Sequence, residues 1–308
     1  MKVIDLFAGC GGFSYGLEQA GFKVIGFVEW WKPAIKTFLK NHPESKLIGT
    51  DITKISDETV AQYKGKVDLI VGGPPCQGFS MCGKRDPHDT RNQLYKEFLR
   101  FVNIIAPETV VMENVPGLLT MDDGNGRKII DRIMHDFIKL GYMVSYKVLT
   151  ASDYDVAQNR KRLIIIGRKK NIFPEPTKRK KTVLEAISDL PEEESSINGH
   201  ILFETREETI AKFKALKQGE KLCKKFNFCR QRLLADKPSK TVTTNPMFIH
   251  PIYDRFLTPR ELARLQSFPD NFTFCGSKSS MVKQIGNAVP PLLAQAIAEK
   301  LKEVFAYA

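Results

Sequence analysis

Lys2-Val3-Ile4-Asp5-Leu6-Phe7 runs directly into Ala8-Gly9-Cys10-Gly11-Gly12-Phe13-Ser14-Tyr15-Gly16. The first six residues are rich in apolar and β-branched types, as a buried strand requires. The glycines stand where the chain must turn tightly and let a ligand approach its backbone. From Phe13 the apolar spacing becomes helical. Strand, glycine turn and helix in this order open an α/β unit with a ligand site beyond the strand's carboxyl end. The spacing is not that of a dinucleotide fold. Ser14 occupies the place of the third glycine in G-x-G-x-x-G, and Asp5 near the strand end would repel a pyrophosphate. A dehydrogenase is therefore a distant reading, and an adenosine ligand with a cationic end fits better.

Working outward, the pattern repeats. Candidate strands are Lys2 to Phe7, Lys23 to Glu29, Lys46 to Asp51, Val67 to Gly72, Thr109 to Asn114, Met143 to Thr150 and Arg162 to Arg168. Helical spacing fills Phe13 to Ala20, Pro33 to Asn41, Gln93 to Ile105 and Arg127 to Leu140. Such alternation predicts a mainly parallel sheet covered on both faces. After Arg168, a run of Lys169-Lys170, Pro174-Glu175-Pro176 and Lys178-Arg179-Lys180-Lys181 marks a boundary. Residues 169–257 read as a second, smaller, loop-rich domain, and helical period returns over 258–308.

Acids stand at successive strand ends: Asp5, Glu29 and Asp51. A carboxylate at the second strand end can accept both ribose hydroxyls, and one at the third can take an adenine amino group. S-adenosylmethionine satisfies the set, with no phosphate, a sulfonium and an amino-acid tail. The fourth strand ends in Gly72-Gly73-Pro74-Pro75-Cys76-Gln77-Gly78-Phe79-Ser80. Two prolines fix the backbone before Cys76, and the glycines leave room for a flat substrate, so a residue type that is usually inert becomes a candidate nucleophile. The fifth strand brings Glu113 to the same edge, and Gln158-Asn159-Arg160-Lys161-Arg162 enters the seventh, with alternation placing Arg160 and Arg162 on one face.

The chain has 308 residues and a formal charge of +12, of which +7 falls in residues 168–240. Either a solvated Lys-rich surface or a polyanion-binding face accounts for that excess. No apolar run approaches the roughly 18 residues of a spanning helix, and Asp5 interrupts the start, so the expected location is cytoplasmic. The six cysteines contain no C-x-x-C pair, which argues against a disulfide scaffold or a structural metal.

Taken in order, these pieces resemble the DNA (cytosine-5)-methyltransferase family, of the prokaryotic type II restriction-modification kind. The resembling stretches are DLFAGCGGFSYG, Glu29, Asp51, GPPCQGFS, ENV, QNRKR, RLLADKPSKTVT (Arg232 to Thr243) and QIGNAVPPLLAQAIAEKL. The pairing of PPCQ with ENV is highly specific, whereas the glycine loop alone is weak. Asp155 departs from the family, which usually has Gly there.

The resemblance implies a Rossmann-like class I catalytic domain over 1–168, a target-recognition domain over 169–257, and a segment 258–308 that returns to the catalytic domain. It implies Cys76 as nucleophile at cytosine C6, Glu113 at N3 and the exocyclic amine, and Arg162, more loosely Arg160, at O2 and the catalytic loop. Phe7, Gly9, Gly11, Gly12, Glu29, Trp30, Asp51, Ile52, Pro74, Leu94, Asn287 and Val289 would hold S-adenosylmethionine. Gln77, Ser80, Lys84, Arg85 and Arg91, in a basic loop, would meet DNA together with Lys224, Lys225, Arg230 and Arg232. The expected partner is double-stranded DNA bound by a monomer, paired functionally with a restriction endonuclease. A tRNA cytosine-5 methyltransferase is the nearest rival, and a catalytically silent binding protein that retains the fold is the next.

Overall fold

The computed structural model describes residues 1–75, 94–122, 126–168, 172–177, 179–222, 230–245 and 248–305. Its first half alternates strand and helix: β1 (Lys2–Leu6), α1 (Gly12–Gln19), β2 (Lys23–Val28), α2 (Lys32–Asn41), β3 (Lys46–Gly49), α3 (Asp57–Ala61), β4 (Leu69–Gly72), α4 (Leu94–Ile105), β5 (Thr109–Asn114), α5 (Ile129–Lys139), β6 (Val144–Thr150) and β7 (Lys161–Gly167). Each predicted strand is present within a few residues of its expected limits. The short helix α3 lacks a legible apolar period and was not among the expected elements.

Among the described residues, seven strands form one sheet in the order β3-β2-β1-β4-β5-β7-β6. The first five run parallel, and β7 is antiparallel to both β5 and β6. Chain order reverses between β1 and β4, and such a switch opens a crevice beyond the carboxyl ends of the strands. Register brings the candidate residues to that crevice side by side: Leu6 pairs with Gly72, Gly72 with Met112, and Asn114 with Leu163.

Strand alternation sends side chains to two cores. Ile4, Leu6, Ile70, Val110 and Met112 pack with residues of α3, α4 and α5, while Val3, Leu69, Val71 and Val111 pack with α1, α2 and the chain's last helix. A third cluster is built mainly from residues of the later part of the chain. It unites α6 (Val183–Ile187) with residues of α8 (Pro259–Leu265) and α9 (Lys278–Asn287), and it takes in Cys10 and Ala157 from the sheet side. Between these lie α7 (Glu207–Lys214) and a two-stranded parallel pair, β8 (Gln231–Arg232) with β9 (Phe248–Ile249), so regular structure is sparse there, as the irregular apolar spacing suggested.

The last helix, α10 (Pro291–Phe305), lies against α1. Gly16 makes this possible: a β-carbon there would stand 2.3 Å from the Pro291 carbonyl oxygen and 2.6 Å from the Ala294 β-carbon. The chain's last helix thus lies back on its first. Among the described residues no helix is long and apolar enough to cross a membrane.

Candidate active site

Phe7, the first residue past β1, has φ 60°, a left-handed conformation unusual for a bulky side chain and typical of backbone held by its surroundings at a functional turn. Gly9 follows with φ 57° and donates its N–H to Glu29 Oε2 at 2.8 Å. A β-carbon on Gly9 would meet nothing within 4 Å, so this glycine leaves its outer side open. At Gly11 and Gly12 the β-carbon direction is taken up by the protein's own packing. The space beside Gly11 is filled by His42, and that beside Gly12 by the Val289 carbonyl oxygen at 2.5 Å. Side chains at these two positions would collide with the protein itself.

Asp5 lies on the α1 face of β1, buried, and accepts a 2.7 Å hydrogen bond from the Ser14 hydroxyl. Burial pushes its carboxyl up to about 7, with Ser14 opposing and Glu29 adding to the shift. Glu29 is also buried and raised, chiefly by desolvation, although the N–H groups of Trp31 (2.8 Å, to Oε1) and Gly9 favour its charged form. Each carboxylate oxygen thus holds one backbone donor and keeps lone-pair capacity for a second. Beside it Trp30 is 72% exposed, an apolar surface at the rim of the crevice.

Asp51 caps the turn after β3, accepting from the Thr53 N–H and hydroxyl on Oδ1, and these bonds lower its carboxyl. Ile52 is buried, and its carbonyl accepts from Arg100. Leu94 begins α4 and is partly buried. On the far side Asn287 is exposed at the end of α9, and Val289 is buried against the glycine turn.

At the β4–β5–β7 edge, Glu113 Oε1 lies 2.7 Å from Arg162 Nε, with both side chains mostly buried. Burial lowers the Arg162 guanidinium, and Glu113 opposes that shift. A β-carbon on Gly73 would come within 3.0 Å of Glu113 Oε2, so the glycine keeps the space before the carboxylate clear. Asn114, whose role the sequence reading missed, ties this edge together by donating its side-chain amide to the Pro74 carbonyl at 3.3 Å. Its place beside Glu113 in ENV was the available signal. Cys76, Gln77, Ser80, Lys84, Arg85, Arg91, Lys224 and Lys225 lie outside the described residues.

Two arginines depart from their expected roles. Arg160 is 1% exposed and donates Nη1 to the Val242 carbonyl (2.9 Å) and Nη2 to the Gly286 carbonyl (2.8 Å). It fastens the start of β7 to the backbone at Val242 and Gly286 and has no free face for a substrate, so only Arg162 of the pair meets Glu113. Neighbouring Gln158 extends the tie, accepting from the Val242 N–H at 2.8 Å and donating to Gln266 Oε1 at 2.9 Å. Arg160→Met is expected to cost about 2–6 kcal/mol in urea unfolding, because two buried carbonyls lose their donors at about 1–3 kcal/mol each. A loss below about 1 kcal/mol would contradict the assignment.

Arg232, expected at the DNA, is likewise buried. It donates to the carbonyls of Phe213 (2.7 Å), His250 (3.1 Å) and Tyr253 (3.2 Å) and pairs with Asp254 at 2.5 Å, which pins the loop after β9. Arg230 is partly buried, with its guanidinium 5.1 Å from the Phe256 ring centroid. Among the described residues no group of three or more His, Cys, Asp or Glu side chains is arranged to hold a metal ion.

Residues 1–303 match the family model described as C-5 cytosine-specific DNA methylase. Type II methyltransferase M1.HphI of Haemophilus parahaemolyticus is 42% identical over 322 residues, covering 97% of this chain and 86% of that protein. Type II methyltransferase M.DdeI of Desulfomicrobium norvegicum is 36% identical, covering 99% of this chain and 89% of that one. Among solved structures, a DNA modification methyltransferase encoded within an E. coli prophage superposes with TM-score 0.86 at 29% identity over 99% of both chains. The Entamoeba histolytica methyltransferase EhMeth, at 18% identity and TM-score 0.71 over 99% of this chain and 98% of its own, shares the fold.

Proposed function

Since the chain belongs to the C-5 cytosine-specific DNA methylase family, we propose that it methylates C5 of a cytosine flipped out of a short, specific duplex DNA site. The observation that carries this reading is the Glu113–Arg162 pair at 2.7 Å, set beside Gly73 and the two prolines that lead into Cys76.

Cytosine C5 is too weak a nucleophile to take a methyl group unaided. In the proposed cycle the Cys76 thiolate adds to C6, and C5 becomes enamine-like. Charge that builds on the ring is met at N3 by a proton from Glu113, which also accepts from the exocyclic amine, while Arg162 orients Glu113 and supports O2. S-adenosylmethionine, when bound, supplies the electrophilic methyl group. Loss of the C5 proton to a base and expulsion of Cys76 then restore the C5–C6 double bond. The target atom is unreachable in a stacked duplex, which is why the base must leave the helix at a cost of a few kcal/mol.

The crevice fits this cofactor. The open flank of Gly9, the two buried but unsaturated oxygens of Glu29, exposed Trp30 and the Asp51–Ile52 turn surround the end of the sheet where chain order reverses. Phe7, Gly9, Glu29, Trp30, Asp51, Ile52, Pro74, Leu94, Asn287 and Val289 would hold it, with Gly11 and Gly12 shaping the turn. Buried acids suit a ligand that brings hydroxyls, an amino group and a sulfonium, and no phosphate.

Recognition falls to residues 169–257, supported by the +7 of residues 168–240. Lys224 and Lys225 are assigned to phosphates. Lys224→Gln with Lys225→Gln is expected to weaken DNA binding and reduce the slope of log K against log salt by about 2. Cofactor affinity should stay unchanged, and a fall in it would mean that this segment does not form a separate recognition unit. One monomer suffices for one flipped base, and protection against a restriction endonuclease in the cytoplasm is the proposed role. Incubation with labelled cofactor and either plasmid DNA or total tRNA tests the substrate class. Label on tRNA alone would overturn the DNA reading, and bisulfite sequencing of methylated plasmid would give the site.

A further inference from the structure

The glycine turn rests on a buried side chain from another element. His42 closes α2, and its imidazole is fully enclosed, with Nδ1 2.7 Å from Glu18 Oε2. Phe38 lies against the ring at 4.4 Å between centroids, and Tyr15 and Phe272 stand edge-on at 6.4 and 6.2 Å. Glu18 belongs to α1, the helix that the glycine turn opens. A carboxylate can only accept, so Nδ1–H is the donor in this contact, and the contact sets the rotation of the ring.

The ring's Nε2 is buried and, among the described residues, has no hydrogen-bond partner. It faces Gly11, where a β-carbon would lie only 2.4 Å away, and Gly11 has φ 94°. A leucine or phenylalanine at this position would fill the space without burying an unpaired nitrogen, so packing alone does not account for the histidine. On its other side the turn is closed by its own Gly11 N–H to Ala8 carbonyl bond at 3.0 Å. The backbone is thus held between a hydrogen bond and the edge of one imidazole.

We propose that His42, held in rotation by Glu18, is a positioning residue that fixes the glycine turn in its cofactor-receiving conformation. The inference rests on the reading of that turn as the S-adenosylmethionine cradle. The ring's Nε2 edge blocks the turn from sinking toward α2 and leaves room there for a glycine alone. The same corner is fastened further by Asn41, whose side chain donates to the Thr273 carbonyl (2.9 Å) and accepts from the Thr273 N–H (2.8 Å).

The test is calorimetric titration of the full chain with S-adenosylmethionine, alongside steady-state kinetics on plasmid DNA. His42→Ala and Glu18→Ala are each expected to raise Kd and KM for the cofactor about tenfold, or about 1.4 kcal/mol. At saturating cofactor, kcat should stay within about twofold, because the reacting groups are untouched. Glu18→Gln still offers Nδ1–H an acceptor and is expected to recover most of the affinity. An unchanged Kd in Glu18→Ala would overturn the proposal, even if His42→Ala fails to fold. So would a fall in kcat with KM constant, the signature of a smaller folded fraction. A wild-type chain that binds no S-adenosylmethionine would instead overturn the cofactor reading beneath it.

Discussion

Cys76→Ser is expected to lower methyl transfer by roughly 10⁴-fold or more, the scale on which removal of a covalent nucleophile acts in other enzymes. A thiol with an ordinary pKa of about 8.5 is a few per cent thiolate at neutral pH, whereas a serine hydroxyl is almost never ionised and has no base assigned to activate it here. The effect should fall on chemistry alone. S-adenosylmethionine binding should persist, since most of the residues assigned to the cofactor stand at the ends of β1, β2 and β3, and the substitution exchanges only the sulfur for oxygen. Wild-type protein should form a denaturant-stable adduct with 5-fluorocytosine DNA, because fluorine blocks the final elimination, and the serine variant should form none. Substantial turnover by Cys76→Ser would sink the covalent mechanism. A wild-type chain that forms no adduct would favour the silent binding protein.

Glu113→Gln is expected to lower kcat by about 10²–10³-fold, the combined reach of a lost general acid and a weakened polar clamp. The substitution keeps shape and an acceptor for the exocyclic amine, but a glutamine amide can only donate a hydrogen bond to N3 and cannot transfer a proton to it. It also removes the charge that faces Arg162 at 2.7 Å, leaving a mostly buried guanidinium without its countercharge. Cofactor Kd should hold within about twofold, and urea unfolding on the same preparations separates this loss from a loss of fold. A kcat within about fivefold of wild type would remove Glu113 from the proton's path.

Sequence pattern made the sheet legible because a buried parallel strand must be nearly all apolar and must alternate with helices. Val67 to Gly72 and Thr109 to Asn114 could hardly be read otherwise. The carboxyl-edge residues were legible for the same reason: once strand ends are known, Glu29 and Glu113 have their place. Arg160 and Arg232 were misread because the residues that define their roles are remote. Arg160 meets carbonyls 82 and 126 positions away, and Arg232 meets an oxygen in a loop 20 residues on. No local periodicity reports a partner at such separations. The glycines show a subtler limit. Their clustering signalled a special turn, yet the crowding by His42 at Gly11 and by Val289 at Gly12 comes from residues remote in sequence. At Asp155, the departure from the family's glycine, the backbone keeps a left-handed conformation with φ 58° and ψ 23°. Aspartate is among the few residues that tolerate it at small cost.

The seam between Gly12, Gly16 and residues 289–294 also sets an order on assembly. The glycine turn and the surface that seats it stand some 280 residues apart, so its contacts are extremely non-local. A growing chain can build strands β1 to β5 and still lack a finished turn. A chain cut short before α10 is therefore expected to leave the proposed cofactor turn unseated and to lose affinity for the methyl donor, which calorimetric titration of such a truncation would check.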